Sequence, residues 1–128
     1  MQANTPDNKV YDRFGKFLME NVRDEAIVRW DMITSGHMQT TTLNHQLLES
    51  ADEQCLNMLH ALIPQIVDST LFFLLRALDD DRDIAVTIRT HEGTEINLLE
   101  VTETLFWELT DWMRKFSRQR EYSPLDPS

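Results

Sequence analysis

Asp68 is the residue whose surroundings most suggest chemistry, because it stands inside the most apolar segment of the chain, residues 66–78. A carboxylate without a partner is costly to bury in such surroundings. Three interpretations are open. Asp68 caps a helix that starts near Ser69, or it pairs in the core with a cation such as Arg76 or Arg29. Alternatively, it is a buried functional acid.

A run of acidic residues follows this segment: Asp79, Asp80, Asp81 and Asp83. A calcium loop of the EF-hand type needs a glycine and a terminal glutamate, and the run lacks both. We therefore expect a solvated acidic loop between a helix and a hairpin. The alternative is a docking patch for a basic protein partner, since charge complementarity speeds association.

Trp107 is the third candidate for a binding residue. It lies roughly opposite the apolar stripe of its predicted helix, and Trp is enriched where interfaces gain most of their energy. The alternative is that Phe106 and Trp107 pack under the hairpin. Trp30 and Trp112 lie on stripes predicted to face inward, so we expect both in the core.

The sequence motifs of metal and nucleophile chemistry are missing from this chain. The four histidines, His37, His45, His60 and His91, never stand three or four residues apart, and the Glu-x-x-His pairs of di-iron bundles do not occur. No glycine-rich phosphate loop, HExxH, CxxC or Gly-x-Ser-x-Gly can be written. We predict no metal and no cofactor, although a site built from His45, His60 and Asp68 would need no local motif.

Composition excludes several functional classes. The chain has 128 residues and a net charge of −10, which argues against nucleic acid and against anionic membranes as partners. A single cysteine, Cys55, allows no intramolecular disulfide, and we expect it to be a buried structural thiol. The N-terminus lacks the pattern of a signal peptide. Pro64, Asp68 and Arg76 interrupt the longest apolar stretch, so we expect a cytoplasmic protein without a membrane span.

The first half of the chain predicts helices. Apolar residues recur at helical spacing over residues 7–20, just after Pro6. Asn21 resembles the N-cap of a second helix that Gly36 ends, although one bent helix fits the pattern equally well. Thr41 or Thr42 caps a third helix.

The middle of the chain supplies the predicted centre of the fold. Ser50 and Glu53 form a capping box for a fourth helix, which Pro64 interrupts. Residues 66–78 are apolar nearly all round, and such a helix is usually covered on every side by its neighbours.

The period then changes from helix to strand. Alternating residues predict a β-hairpin over 84–98 with Gly93 in its turn. Residues 99–118 predict a last helix with acidic residues at its start and basic ones at its end. The fold class is therefore mostly α: a bundle of about five helices around a central apolar helix (66–78), with one small β-hairpin (84–98). We expect one domain over 1–128, with frayed tails at 1–5 and 121–128.

Three segments, VRDEAIVRWDMITSG, LIPQIVDSTLFFLLRAL and EGTEINLLEV, resemble a set of small acidic bacterial proteins with no assigned role. The resemblance implies a bacterial, cytoplasmic protein and says nothing about chemistry. The leading functional hypothesis is a non-catalytic binding or regulatory protein, one version being an immunity or antitoxin-like inhibitor of a basic protein. The alternatives are a helical-bundle enzyme that uses buried carboxylate and histidine groups, and a self-associating module that forms a homodimer.

Overall fold

The computed structural model describes residues 6–38, 41–81, 83–102 and 104–121. Within them it is mostly helical, with one two-stranded antiparallel hairpin, as the sequence predicts. The predicted tails at 1–5 and 121–128 lie outside the described residues, except for Glu121.

The first two predicted helices form one continuous rod. α1 (Pro6–Leu18) begins at the predicted proline and passes through a π-helical turn (Met19–Arg23) into α2 (Asp24–Thr34). Asn21 is not an N-cap, because its side-chain amide donates to the carbonyl of Phe17 inside the helix. The rod ends at Gly36, whose φ of +86° suits glycine.

α3 (Thr42–Ser50) is a short helix whose predicted cap is confirmed. The Thr41 hydroxyl accepts a hydrogen bond from the backbone N–H of Asn44. α3 has no fully buried side chain, so it lies on the outside of the domain beside α2.

α4 (Glu53–Asp80) is a single helix of 28 residues. Its N-cap is Asp52, which accepts from the backbone N–H of Cys55, and the predicted capping box at Ser50 is therefore wrong. Of the kink or boundary predicted at Pro64, the boundary is wrong, because α4 continues through it. Proline leaves the carbonyl four residues earlier without a donor, and Arg120 donates to that carbonyl, on His60. A residue remote in sequence thus lets the helix continue.

The hairpin pairs β1 (Thr87–Arg89) with β2 (Glu95–Asn97), and Ile88 lies opposite Ile96. It is shorter than the predicted span of 84–98. Gly93 occupies the turn with φ of +87°, a conformation that favours glycine.

The predicted helix over 99–118 is mostly wrong. The chain forms 3₁₀ turns at Leu98–Glu100 and Phe106–Glu108, and only Leu109–Phe116 is α-helical, here α5. The physical reason is a cap from outside the segment. The Asp79 carboxylate accepts hydrogen bonds from the backbone N–H groups of Leu105 and Phe106, at 2.8 and 3.1 Å, and so fixes a helix start there.

The core lies between the α1–α2 rod, one face of α4 and α5. Trp112 is fully buried, as the sequence predicts, and stacks edge-on against Phe14 with ring centroids 5.7 Å apart. Its indole lies directly over Gly15, where an added Cβ would come 2.4 Å from the ring. Gly15 is therefore required by packing, even though glycine weakens a helix.

Candidate functional site

The most unusual surface of the described residues is the side of α4 that faces away from the core. Its inward side chains, including Val67, Leu71 and Leu75, are buried. The expectation that residues 66–78 are covered on every side is wrong, because only this inward face is packed. A series of large apolar side chains stays in solvent: Met58, Leu62, Ile66 and Phe73 on the other side, and Leu74 at the edge of the inward face, seven residues after Val67. We call these five residues the outward face.

The outward face follows helical spacing. Met58, Leu62 and Ile66 stand four residues apart, so they form one row along the helix. Ser69 and Thr70, both exposed, stand between Ile66 and Phe73. The row from position 58 to position 73 runs for about 22 Å at the rise of an α-helix. The regular spacing of this stripe along one helix distinguishes it from the scattered exposed apolar residues of any protein surface.

An apolar cleft of about 220 Å³ flanks the first half of this stripe. Trp30 of α2 and Leu47 of α3 line it together with Leu62 and Ile66 of α4. Trp30 is 46% exposed, so the prediction that it belongs to the core is wrong. Its exposed ring adds apolar surface beside the outward face.

An aromatic cleft of about 480 Å³ flanks the second half. Its aromatic lining consists of Phe72, Phe73, Phe106 and Trp107. The Phe72 and Phe106 rings pack edge to face with centroids 5.3 Å apart, and Trp107 lies 5.2 Å from Phe106 at a shallow angle. Trp107 is 72% exposed. It does not pack beneath a covering element, and its exposed ring is consistent with the predicted interface anchor.

Asp68 lines the floor of the aromatic cleft and is nearly buried. Of the three sequence interpretations, the core ion pair is the one found, with a cation that the sequence pattern did not single out. Arg23 donates from Nε and Nη2 to the two carboxylate oxygens of Asp68, at 2.6 and 3.1 Å. Asp68 is not an N-cap, because α4 begins fifteen residues earlier.

Arg23 also holds the C-terminal segment of the described chain. Its Nη1 donates to the Ser117 hydroxyl, and the guanidinium reaches the carbonyls of Gln119 and Arg120. Asp24 accepts from the Ser117 hydroxyl and from the following backbone N–H. The π-helical turn thus places a fully buried arginine where it links three parts of the chain, which is a structural role.

The four aspartates of the acidic run divide between two roles. Asp79 belongs to α4, is the cap described above and is half-buried, so its expected place in a solvated loop between helix and hairpin is wrong. Asp80 also belongs to α4. Asp80, Asp81 and Asp83 are exposed, and Asp81 accepts from the backbone N–H of Asp83 at 2.7 Å. These three residues form an acidic end to the outward face.

The histidines do not assemble with Asp68. His60 lies 3.3 Å from Asp31, which is held by both Nη atoms of Arg120. His45 pairs with Glu49, its neighbour on α3, at 3.0 Å. Among the residues that the structure describes, no three His, Cys, Asp or Glu side chains are grouped to hold a metal ion. The expected pocket of Asp68 with His45 or His60 is therefore not found.

Shifted pKa values occur away from the outward face. Burial, together with the charges of Asp111 and Asp12, raises the pKa of Glu108. Cys55 is exposed, so its predicted burial is wrong. Its hydrogen bond to the Asp52 carboxylate and the charge of that group raise its pKa, which is the opposite of what a nucleophilic thiol needs.

α4 is also long and apolar enough to cross a bilayer by length and composition. This is weak evidence, because the core helices of soluble domains pass the same test. Within the domain, α4 carries Asp68 paired with a buried arginine.

Comparison with protein-family models, with curated proteins and with solved structures finds no match to this chain. The residues and their geometry are therefore the whole basis for a function. The sequence patterns missed the outward face because they assigned residues 66–78 to a covered core. The signal was nevertheless present, since a helix that is apolar nearly all round needs cover on both sides.

Proposed function

We propose that this domain is a non-catalytic binding protein that docks a basic amphipathic helix of a protein partner on the outward face of α4. The observation that carries the proposal is a stripe of large apolar side chains, 42 to 63% exposed, on a helix whose opposite face forms the core. Monomeric proteins rarely leave continuous apolar patches of this size in water unless the patch binds something.

The area fits a protein interface. The five side chains of the outward face leave on the order of 500 Å² of apolar surface in solvent, near the upper limit for a monomeric protein. Trp30 and Trp107, one in each flanking cleft, extend it to about 800 Å², the area that one partner buries in an interface of standard size.

The shape favours a helix as the occupant. The stripe runs along one helix for about 22 Å and is flanked by two clefts that can receive side chains from a rod lying along α4. Amphipathic helices bind in such grooves through apolar residues three and four positions apart. About four turns of a partner helix would cover the stripe from Met58 to Phe73.

The charges favour a basic partner. Asp52 and Glu53 stand at the start of α4, and Asp80 and Asp81 stand at its end, all four exposed. Arg76, which is also exposed near the end of α4, carries one positive charge beside Asp80 and Asp81, so both ends of the helix are acidic on balance. A partner helix with Lys or Arg beyond its apolar residues complements this pattern, and the net charge of −10 would steer it into place.

The same charges disfavour a second copy of the chain. An antiparallel copy would bring the acidic start of one α4 against the acidic end of the other, and a parallel copy would align like ends. Both arrangements juxtapose like charges at each end of the interface, which is unfavourable. An anionic membrane surface would be repelled for the same reason.

Photo-crosslinking in the cells that produce the protein tests the proposal. The crosslinking amino acid p-benzoylphenylalanine replaces Phe73, which is 61% exposed on the outward face. A matched control carries it at Phe17, which is 56% exposed on α1. We expect an adduct at position 73 and none at position 17, and mass spectrometry should map the crosslink to a helix with flanking basic residues.

Each other outcome overturns the proposal. An adduct of twice the mass of the chain would assign the face to a homodimer, and adducts to lipid would assign it to a membrane. Equal adducts at both positions, or none at position 73, would show that the outward face has no specific occupant.

A further inference from the structure

We propose that the aromatic cleft beside α4 is a recognition site for one cationic side chain, an arginine, of the basic partner helix. This inference rests on the proposed function, because it names the residue that would anchor the partner at one end of the outward face. The juxtaposition that carries it is a cleft of about 480 Å³ lined by four aromatic rings with a carboxylate at its floor.

The rings present faces that a cation can use. The face of an aromatic ring carries negative charge density, and Trp binds cations best. The centroid distances of 5.2 and 5.3 Å join Phe72, Phe106 and Trp107 into one contiguous wall. Trp107 and Phe73, 72 and 61% exposed, supply the unoccupied aromatic surface at the mouth.

The floor of the cleft accepts hydrogen bonds. Each carboxylate oxygen of Asp68 receives one bond from Arg23, and a carboxylate oxygen has a second lone pair. Ser69 and Thr110, both exposed, add hydroxyl groups to the lining. The lining thus combines aromatic faces with oxygen acceptors, Leu109 and Met113 add apolar contacts, and no cationic side chain lines the cleft. Because Arg23 balances the charge of Asp68, the aromatic faces supply most of the attraction for a cation.

Arginine fits this combination better than lysine. The guanidinium is planar, stacks on aromatic faces and is weakly hydrated, so it loses less on leaving water than an ammonium group does. Its five N–H donors can reach the oxygens at the floor while its plane lies against Trp107. The net charge of −10 on the chain lowers the cost of bringing a cation to its surface.

A titration of the full chain tests the site without the partner. The probe is N-acetyl-arginine amide, and its matched control is N-acetyl-citrulline amide, which has nearly the same shape but no charge. The readout is the indole N–H signal of Trp107 in a ¹⁵N NMR spectrum, assigned with the Trp107→Phe variant. Trp30, an exposed indole outside the cleft, is the internal reference.

We expect arginine amide to shift the Trp107 signal to saturation, with half-saturation on the order of 10 mM for a single side chain. Citrulline amide should bind at least tenfold more weakly, and the Trp30 signal should stay in place. Raising the salt concentration should weaken the arginine effect. Equal shifts from both probes would show an apolar site without selectivity for cations, and no saturable shift at Trp107 would show no site; either result overturns the inference.

The two proposals fail separately. Crosslinking at position 73 to a basic helix, combined with no preference for arginine amide, would overturn the cation site and leave the docking face. Saturable arginine binding at Trp107, combined with no adduct at position 73, would overturn the docking face and leave a cation-binding cleft.

Discussion

Replacing Asp68 by Asn removes the negative charge that faces the buried guanidinium of Arg23. The change is nearly isosteric, so packing is kept and only the charge and one acceptor are lost. Arg23 makes five hydrogen bonds, and two of them go to Asp68. The other three, to the C-terminal segment, remain in the variant.

Breaking a buried ion pair by removing one partner costs about 3 to 5 kcal/mol. The stability lost in Asp68→Asn should lie near the lower end of this range, because Arg23 keeps its three other acceptors. The stability lost in Arg23→Met should lie at or above the upper end of the same range. This substitution leaves Asp68 without its arginine partner and also strips donors from the Ser117 hydroxyl and two carbonyls. A domain of this size is stable by about 6 to 19 kcal/mol, so Arg23→Met removes a large part of the total.

Urea unfolding followed by circular dichroism measures these changes. The double variant Arg23→Met with Asp68→Leu should be less damaging than the sum of Arg23→Met and Asp68→Leu measured singly, since an apolar pair leaves no unpaired charge in the core. Glu95→Gln, which breaks the exposed pair with Arg89 at 3.3 Å, is the control and should cost under about 1 kcal/mol. If the losses of stability from the two single changes simply add in the double variant, or if they are as small as the loss in the control, Arg23 and Asp68 do not act as a coupled buried ion pair.

Three further predictions concern packing, capping and pH. Gly15→Ala should lower the melting temperature, because overpacking against Trp112 costs about 1 to 3 kcal/mol and outweighs the helix preference of alanine of about 1 kcal/mol; a raised melting temperature would contradict the close approach. Asp79→Ala should cost about 1 kcal/mol through the lost cap and speed amide hydrogen exchange at the two N–H groups that it holds, whereas Asp80→Ala next to it should change neither. Folding favours the protonated form of Glu108, whose pKa is raised, so its charge weakens the fold at neutral pH. Glu108→Gln should therefore be more stable than the wild type at pH 7, and the difference should shrink as the pH falls through the raised pKa of Glu108 and vanish below the ordinary value of 4.5; urea unfolding at pH 7, 5.5 and 4 measures it, and a difference that grows on acidification would contradict the sign.

Local chemistry was readable from the sequence. Thr41, Gly36 and Gly93 were assigned to a cap, a helix end and a turn, and each assignment depends on residues within four positions in the chain. The mostly α fold class with one hairpin follows from the same short-range periodicity.

Interactions between residues that are remote in the chain could not be predicted from the sequence. α4 continues through Pro64 because Arg120, sixty residues beyond His60, supplies the missing donor. Asp68 pairs with Arg23, which stands 45 residues earlier in the chain. No pattern within one turn of helix contains such information, so the predicted boundaries failed where a distant side chain satisfied the backbone.

The proposed binding surface could be predicted from the sequence only in part. Trp107 was identified from its position off the apolar stripe, and it is exposed. The row Met58, Leu62 and Ile66 was missed, because periodicity shows which residues are apolar and cannot show which apolar face the domain itself covers.

We propose that the exposed apolar side chains of the outward face bind a partner and contribute little to the stability of the domain itself. The free energy of unfolding of two matched double variants on this helix tests it. Met58→Gln with Ile66→Gln changes the outward face, and Ile63→Gln with Leu71→Gln changes the buried face by the same chemistry. We predict a change within about 0.5 kcal/mol for the outward pair and a loss of about 4 kcal/mol or more for the buried pair. Equal losses from the two pairs would mean that the domain covers both faces, and the claim would be wrong.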